Sequence, residues 1–251
     1  MRKLEGIIAV VFFSLILGCG SVDLKDLDVS FQSDYFPLQQ MDRLYTVDSI
    51  QYDLVGGAQV IDSSSSHLRQ RLDSVNGSWF LEWAFRPDSS SAWEIRSYSE
   101  IDSAENALLE IGGEVTLVKL EFPLNEMSSW DESRLVDPGY ETLIKGERVR
   151  PFSVPWEVKL LALDVRDSVG DFNFDHVIKK VSVDEDFLIE RRRVEEWYAD
   201  DIGLVWSRWD ILDTQCEHLS GALSDCIEVP WTDKANKGYT VTLTLESFEK
   251  W

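Results

Sequence analysis

The residues with the most defined chemistry lie near the start of the chain, at Ile16-Leu17-Gly18-Cys19. Only cysteine offers a thiol that can carry a thioether-linked diacylglycerol, and glycine is the small residue that a signal peptidase requires just before its cut. A basic start precedes an apolar run over residues 7–17. The pattern predicts a lipoprotein signal peptide over residues 1–18, with lipid attached to Cys19.

Two other interpretations of this N-terminal segment compete with lipidation. An uncleaved transmembrane helix is excluded because the apolar run is shorter than the roughly 20 residues that a span needs. An ordinary secretory signal, in which Cys19 is incidental, stays open. Lipidation would add two or three acyl chains such as palmitate, which hold the chain firmly on a membrane because each buried methylene contributes about 0.8 kcal/mol. Gly20 and Ser21 carry no acidic retention signal, which favours the outer membrane and leaves open which face carries the protein.

The other two cysteines, Cys216 and Cys226, predict a disulfide bond. Export places them in an oxidising compartment, where an even number of cysteines usually pairs. Closing so short a loop stabilises a fold by about 2–3 kcal/mol in the chain-entropy model. A metal site that includes His218 is the rival interpretation, but Cys-x-His with one distant cysteine matches no usual spacing of metal ligands.

No motif of enzymatic chemistry is present in the sequence. The chain has no Gly-x-Ser-x-Gly elbow, no His-Glu-x-x-His pair and no phosphate-binding glycine loop. An EF-hand calcium loop beginning at Asp171 would need glycine and glutamate where His176 and Ser182 stand. We therefore predict no catalytic residue, no metal ligand and no cofactor. Paired carboxylates that hydrolyse a glycosidic bond stay open, because their separation is not written in a sequence.

The formal charge of −22 at pH 7 arises from 46 acidic and 24 basic residues. Such a surface repels phosphate backbones and so excludes nucleic acids as partners. It also disfavours binding to anionic lipid headgroups, which leaves the acyl chains to attach the protein to the membrane. The composition identifies neither a protein partner nor a small-molecule partner.

Alternation of apolar and polar residues predicts β-strands through most of the chain. In one such run Trp79, Leu81 and Trp83 share a face and Glu82 points to the other. Turn signals separate the runs, and Asn76-Gly77 is typical of a two-residue hairpin.

These runs predict an all-β fold with a strongly curved antiparallel sheet, either a half-barrel or a two-sheet sandwich. Helix is scarce, since only residues 103–110 and 231–237 have the composition for a turn or two. Residues 19–34 are polar and acidic and predict a tether, and residues 35–251 predict a single domain.

A short segment recurs within that domain. Phe36-Pro37-Leu38-Gln39-Gln40-Met41 is echoed by Phe122-Pro123-Leu124-Asn125-Glu126-Met127. Proline cannot donate to a strand ladder, so each copy is expected to turn the chain where a strand begins or ends. Two related halves of the domain would explain the echo, and coincidence is the alternative.

Tryptophan is abundant, with 10 residues. Most of those in the strand-like runs alternate in phase with aliphatic residues, which predicts that they fill the core. Trp206 is out of phase with Val205 and Trp209, so we expect it to face something other than the core. It is the candidate ligand-facing aromatic residue.

Several segments together resemble a family of uncharacterised lipoproteins from Bacteroidota, in the same order and over nearly the whole mature chain. The segments are Tyr35-Phe36-Pro37-Leu38, Phe172-Asn173-Phe174-Asp175-His176-Val177, Tyr198-Ala199-Asp200-Asp201-Ile202-Gly203-Leu204-Val205, Ile211-Leu212-Asp213-Thr214-Gln215-Cys216 and Pro230-Trp231 to Gly238-Tyr239. The resemblance implies a lipid-anchored envelope protein and implies no particular activity. Members of the family usually carry glycine where Asp201 stands, and this departure concerns the geometry of a turn.

Two classes of function follow from these observations. The first is a non-enzymatic envelope lipoprotein that acts as a binding or structural module, with the variant of a half-barrel that carries an apolar ligand. The second is a hydrolase that acts on glycans through paired carboxylates. Facing carboxylates with perturbed pKa values would favour the enzyme, and an apolar concavity would favour the carrier.

Overall fold

The computed structural model describes residues 34–103, 106–144, 147–216 and 226–251. The predicted signal peptide, Cys19, nearly all of the tether and His218 lie outside the described residues. The part of the chain that the structure describes contains no helix with the length and apolar character of a membrane span.

Strands make up most of the described chain. They are β1 Met41–Val55, β2 Ala58–Val75, β3 Ser78–Arg86, β4 Glu94–Asp102, β5 Ala107–Gly112, β6 Val115–Glu121, β7 Ser129–Asp131, β8 Thr142–Ile144, β9 Glu147–Val149, β10 Glu157–Val169, β11 Phe172–Asp186, β12 Glu190–Ala199, β13 Gly203–Asp213 and β14 Lys237–Lys250. One short helix, α1, spans Trp231–Lys234.

Twelve of these strands form one sheet, in the order β6-β5-β4-β3-β2-β1-β14-β13-β12-β11-β10-β7, and β8 and β9 form a separate hairpin. Every neighbouring pair in the large sheet is antiparallel. The two edges of the sheet meet, because the amide of Val118 in β6 donates to the carbonyl of Glu132 after β7 at 2.9 Å. The indole N–H of Trp130 donates back to the carbonyl of Val118 at 2.7 Å. We call this junction the seam.

The sheet is therefore nearly closed into a barrel. The predicted all-β fold with a strongly curved antiparallel sheet is confirmed. Of the two forms left open, the structure has the single curved sheet, which bends further than a half-barrel. The predicted hairpin at Asn76-Gly77 is also present, with both residues at positive φ, 55° and 87°, as a tight two-residue turn requires.

Four apolar clusters pack the described chain, and two of them include large side chains from outside the large sheet. One joins Leu72, Leu81 and Leu204 from the sheet with Tyr35 and Phe36 from the segment before β1. The other joins strand residues with Phe152 and Trp156 from the long connection between β6 and β10; the strand residues are Leu117, Val183, Val194 and Ile211. Two segments outside the large sheet, the one before β1 and the connection between β6 and β10, thus contribute large side chains to the interior.

Within the described ranges, α-helix is limited to α1, which lies in residues 231–237, where the sequence predicts a short helix. The expected turn over residues 103–110 is wrong, because Ala107–Gly112 forms β5 and pairs with β6. Of the echoed segments, Pro37 precedes β1 and Pro123 follows β6, at strand boundaries. That the domain consists of two related halves stays a prediction.

Candidate functional site

A cavity of about 230 Å³ lies inside the sheet. Its wall is mainly apolar, with a small number of polar side chains. The lining residues are Phe36, Gln70, Leu81, Trp83, Glu110, Leu117, Lys119, Glu196, Tyr198, Leu204, Ser207, Trp209 and Leu243. A mainly apolar pocket with a few converging polar groups is the usual form of a small-molecule site, although this one is below the roughly 300 Å³ at which such pockets commonly begin.

An open groove leads towards this cavity through the wall of the sheet. β4 pairs with β5 only through Glu100, Ile101 and Asp102, so residues 94–99 have no β5 partner and the two strands part. The groove there has a volume of about 690 Å³. Its lining includes Ser97, Tyr98, Gly112, Gly113 and Tyr140. We call this groove the mouth.

Trp83 and Glu110 line both the mouth and the cavity. Their side chains therefore stand at the junction between the two spaces. Each is only partly buried, unlike the neighbouring Leu81, which is 1% exposed. A molecule that enters the cavity from the mouth would pass between these two side chains.

Four buried charged side chains form a ring at the seam, and we call it the charge ring. The ammonium of Lys119 lies 2.9 Å from Glu132 and 2.7 Å from Glu196. The ammonium of Lys180 lies 2.5 Å from Glu132 and 3.0 Å from Glu196. All four side chains are at most 6% exposed. Each charge thus has two partners of opposite sign, and the ring as a whole is neutral.

The charge ring ties together both edges of the sheet. Lys119 comes from β6, Glu132 follows β7, and Lys180 and Glu196 come from β11 and β12. Ser182 and Tyr198 complete the set, since their hydroxyl groups donate to Glu132 and Glu196. Because the partners come from opposite sides of the seam, the ring holds the barrel nearly closed.

The ring also shifts the pKa values of Glu196 and Lys119. Burial alone would raise the pKa of Glu196, but the ammonium groups of Lys119 and Lys180 outweigh it and lower that pKa. Burial alone would lower the pKa of Lys119. The carboxylates of Glu132 and Glu196 outweigh this effect and raise that pKa well above the usual value. Burial and the neighbouring Glu196 raise the pKa of Tyr198 well above its usual value, so its hydroxyl stays a donor.

Glu110 has the opposite electrostatic environment, although it lines the same cavity. Burial raises the pKa of its carboxyl group, and the attraction of Lys119 and a hydrogen bond from Ser99 only partly offset this effect. The charges of Glu196 and Glu132 add to the rise. Two cavity carboxylates therefore have pKa values shifted in opposite directions.

A further buried cation, Arg43 in β1, lies outside the charge ring. It is 0% exposed, and the Gln70 and Tyr45 side chains beside it are 2% and 0% exposed. Its Nη1 donates to Oε1 of Gln70 at 2.7 Å, and its Nε donates to the carbonyl of Ile202 at 2.5 Å. The Tyr45 hydroxyl lies 3.3 Å from the same Gln70 oxygen and donates to the carbonyl of Leu204 at 2.8 Å.

Arg43 has no carboxylate as an ion-pair partner among the described residues. Its Nη2 is buried and makes no hydrogen bond within that part of the chain. Burial lowers the pKa of the guanidinium, but arginine remains charged at any ordinary pH. Arg43 is therefore a buried positive charge that the described protein groups do not balance.

Ser207 in β13 is a further unmatched group in the cavity wall. It is 0% exposed, and its hydroxyl oxygen has no hydrogen-bond partner in the described chain. A buried polar atom without a partner costs roughly 1–3 kcal/mol. Such a group in a cavity wall indicates a place where a ligand atom is accepted.

The structure places Trp206 outside the cavity. Its strand partner is Trp197, and the two rings lie 4.8 Å apart between centroids. The next residue, Ser207, lines the cavity, so alternation puts Trp206 on the outer face of the sheet. The ammonium of Lys179 covers the Trp197 ring at 3.6 Å. A ligand on Trp206 would therefore occupy the outer face, and such a ligand stays a prediction.

The other predicted site residues are Cys19, Cys216 and Cys226. The Cα atoms of Cys216 and Cys226 lie 6.2 Å apart, which is within the range for a disulfide bond. Cys19 lies outside the described residues. Among the acidic residues near Asp171, Asp164 contacts the imidazole of His176, and Asp167 and Asp175 form ion pairs with Lys179 and Arg166.

Known proteins offer little to compare with this geometry. No protein-family model and no curated protein matches the chain. Among solved structures, the chain is similar to one described as a "putative lipoprotein from Parabacteroides distasonis", with 9% sequence identity and a TM-score of 0.23. The alignment covers 86% of this chain and 98% of the other. At this TM-score the likeness supports no argument about the site.

Sequence reasoning named none of the cavity's polar residues, although a signal was present. Lys119 shares its strand phase with the buried Leu117, and Glu196 shares its phase with Val194 and Tyr198. A charged residue in the apolar phase of a strand indicates burial with a partner. The partners themselves come from distant segments, and no local pattern connects them.

Proposed function

We propose that this protein is an envelope lipoprotein that binds one small amphipathic molecule in the cavity enclosed by its sheet. The observation that carries the proposal is the cavity itself, which is mainly apolar and contains the unpartnered hydroxyl of Ser207. The mouth beside β4 supplies a route of entry past Trp83 and Glu110. Sites with this combination bury most of a small ligand's surface and orient it with few polar contacts.

Binding fits the cavity better than glycoside hydrolysis does. A retaining or inverting glycosidase needs one free carboxylate as nucleophile or base and one protonated carboxyl group as acid. Glu110 has the raised pKa of an acid. Glu196, however, uses one oxygen for Lys119 and the other for Lys180 and Tyr198. A carboxylate paired with two ammonium groups, whose pKa is lowered, is a weak base and a weak nucleophile, so the pair lacks an effective second member.

The anchor belongs to the same proposal and is supported by the sequence. The lipobox at Ile16-Leu17-Gly18-Cys19 places a diacylglycerol on the new N-terminus, and the acidic residues 19–34 tether the domain to the membrane, by preference the outer one. Cells that express the protein and receive radiolabelled palmitate should incorporate the label into it. The substitution Cys19→Ala should abolish labelling and release the protein from the membrane fraction.

Native mass spectrometry tests the binding function. The mature chain, exported without its lipid by a Cys19→Ala substitution behind an ordinary secretory signal, is measured before and after denaturation. Extra mass that disappears on denaturation identifies a bound small molecule. The denatured chain should also weigh two hydrogens less than the reduced chain if Cys216 and Cys226 are joined.

A filled cavity provides the control for that experiment. Leu243→Trp places an indole ring in the cavity wall, so the bound ligand and its extra mass should be lost. Ile61→Trp adds the same ring at an exposed position of a strand, and the extra mass should remain. Overpacking costs roughly 1–3 kcal/mol, so thermal unfolding of both variants is compared first. Equal extra mass in the two variants would place the ligand elsewhere and refute the proposed site.

A further inference from the structure

The polar groups that remain available in the cavity are mostly hydrogen-bond donors. Gln70 shows this most clearly. Arg43 can only donate, so the Gln70 atom 2.7 Å from its Nη1 is the amide oxygen, and the amide nitrogen is turned away from Arg43. That nitrogen makes no hydrogen bond within the described chain, and the Gln70 side chain lines the cavity. Two N–H groups thus remain for a ligand.

Lys119 and Ser207 add further donors to the same wall. An ammonium group has three N–H bonds, and Lys119 uses two of them on Glu132 and Glu196. The third has no hydrogen-bond partner within the described chain, and the Lys119 residue lines the cavity. The Ser207 hydroxyl, which has no partner in the described structure, can donate or accept. A ligand that offered acceptor oxygens would satisfy all three residues.

The charges around the cavity also favour an anion. The charge ring is neutral, with two lysines and two glutamates, so it contributes no net charge. Arg43, directly behind Gln70 in the neighbouring strand, leaves one positive charge unbalanced. None of the carboxylates that line the cavity contacts Arg43, which donates to the Gln70 amide oxygen and to the carbonyl of Ile202. One ligand carboxylate would supply a negative charge on the side of the interior where Arg43 lies.

We propose that the cavity binds a small apolar carboxylic acid, whose ionised carboxylate is held by Gln70, Lys119 and Ser207. This inference rests on the proposed binding function and specifies its ligand. At roughly 30 Å³ for each water-sized group, a cavity of about 230 Å³ accommodates about eight such groups. Octanoate, counted as seven alkyl carbons and one carboxylate group, has about that size and serves as the probe. Its alkyl chain would contact Leu81, Leu204 and Leu243.

The test compares three probes of equal chain length in isothermal titration calorimetry: octanoate, 1-octanol and octylamine. The protein is the mature chain with Cys19→Ala, and the tryptophan fluorescence of Trp83 and Trp209, which line the cavity, provides a second readout. Octanoate is expected to bind at least tenfold more tightly than 1-octanol. Octylamine is expected to bind more weakly than either, because its cation would lie near Arg43 and Lys119.

One substitution separates the carboxylate contact from the fold. Gln70→Glu keeps the oxygen that accepts from Arg43 and replaces the two N–H groups with a second acceptor of similar shape. It should weaken octanoate binding at least tenfold and weaken 1-octanol binding by a clearly smaller factor, because the added acceptor repels a carboxylate but not a neutral hydroxyl group. Ser207→Ala should weaken octanoate binding about threefold, while Ser65→Ala on the exposed part of β2 should change nothing.

The outcomes distinguish the proposed binding function from the proposed carboxylate ligand. If octanoate binds more tightly than 1-octanol and Gln70→Glu abolishes that preference, both proposals are supported. Equal binding of octanoate and 1-octanol would overturn the carboxylate assignment and leave the binding function standing. If none of the three probes binds and no copurified mass is found by native mass spectrometry, both fail together.

Discussion

Two clusters of buried charge lie in the same interior, and they are built in opposite ways. In the charge ring, Lys119 and Lys180 each contact Glu132 and Glu196, and every charge is matched. In the Arg43 cluster, a guanidinium that is equally buried contacts an amide, a backbone carbonyl and no carboxylate. The ring spans the seam, whereas Arg43 lies within continuous sheet, beside Gln70 on the next strand.

The difference indicates which cluster serves the fold and which serves a ligand. In the matched ring, the ion pairs and the hydrogen bonds from Ser182 and Tyr198 offset the desolvation cost of the four charges, so the ring needs no ligand to join the two sheet edges. An unmatched charge raises the free energy of the empty protein and lowers it again when an anion binds nearby. We therefore expect substitutions in the charge ring to change the stability of the fold. A substitution that balances Arg43 should instead raise stability and weaken ligand binding.

The largest expected effect comes from breaking the ring. Glu196→Gln leaves one buried ammonium charge without its partner and should lower the free energy of unfolding by about 3–5 kcal/mol, as is usual when one member of a buried ion pair is removed. Urea denaturation measures the change. Glu121→Gln breaks an ion pair with Arg134 whose side chains are about two-fifths exposed, and should cost at most about 1 kcal/mol. Similar losses in both variants would show that the ring does not hold the seam.

The next effect tests how tightly the backbone encloses Arg43. Gly203 has a φ of +89°, and a Cβ added there would lie 2.8 Å from Nη2 of Arg43. Gly203→Ala should therefore destabilise the fold by about 2 kcal/mol, which combines the strain of positive φ with displacement of the guanidinium. Gly56→Ala carries the strain alone, since its φ is +60° and nothing lies within 4 Å. The difference between the two unfolding free energies isolates the contact with Arg43.

Supplying the missing counter-charge should produce a gain. Gln70→Glu gives Arg43 a carboxylate in place of an amide oxygen, so a hydrogen bond from a charged donor to a neutral acceptor becomes an ion pair. We expect about 1 kcal/mol of added stability at pH 7, lost as the pH falls and the introduced carboxyl group takes up a proton. Thermal unfolding at pH 7 and pH 4 measures it. A loss of stability at pH 7 would mean that the described residues already balance Arg43.

The same contrast explains what the sequence could predict. Strand alternation and turn residues are local, so the all-β fold, the curved sheet and the Asn76-Gly77 hairpin followed from neighbours in the chain. The helix expected near residue 103 was wrong because pairing with β6 outweighed the local preference of Ala107, Leu108 and Leu109. The charge ring depends on the closure of the seam, which brings Lys119 to Glu196 across 77 positions of chain. No pattern within one segment records that closure.

Glu110 provides the test with the smallest expected effect. It lines the same cavity as Glu196, but its pKa is raised whereas that of Glu196 is lowered. Burial raises the folded-state pKa of Glu110 above its usual value of 4.5, so the folded chain holds that proton more firmly than the unfolded chain does. Its contribution to stability is then fully present below pH 4.5 and is lost as the pH rises through the folded-state pKa. Glu110→Gln removes that loss, and the variant should unfold about 1–3 °C higher than the parent chain at pH 7 and at the same temperature at pH 4. A pH-independent difference would assign the effect to packing, and a lower unfolding temperature at pH 7 would mean that the ionised Glu110 supplies the balance that Arg43 lacks.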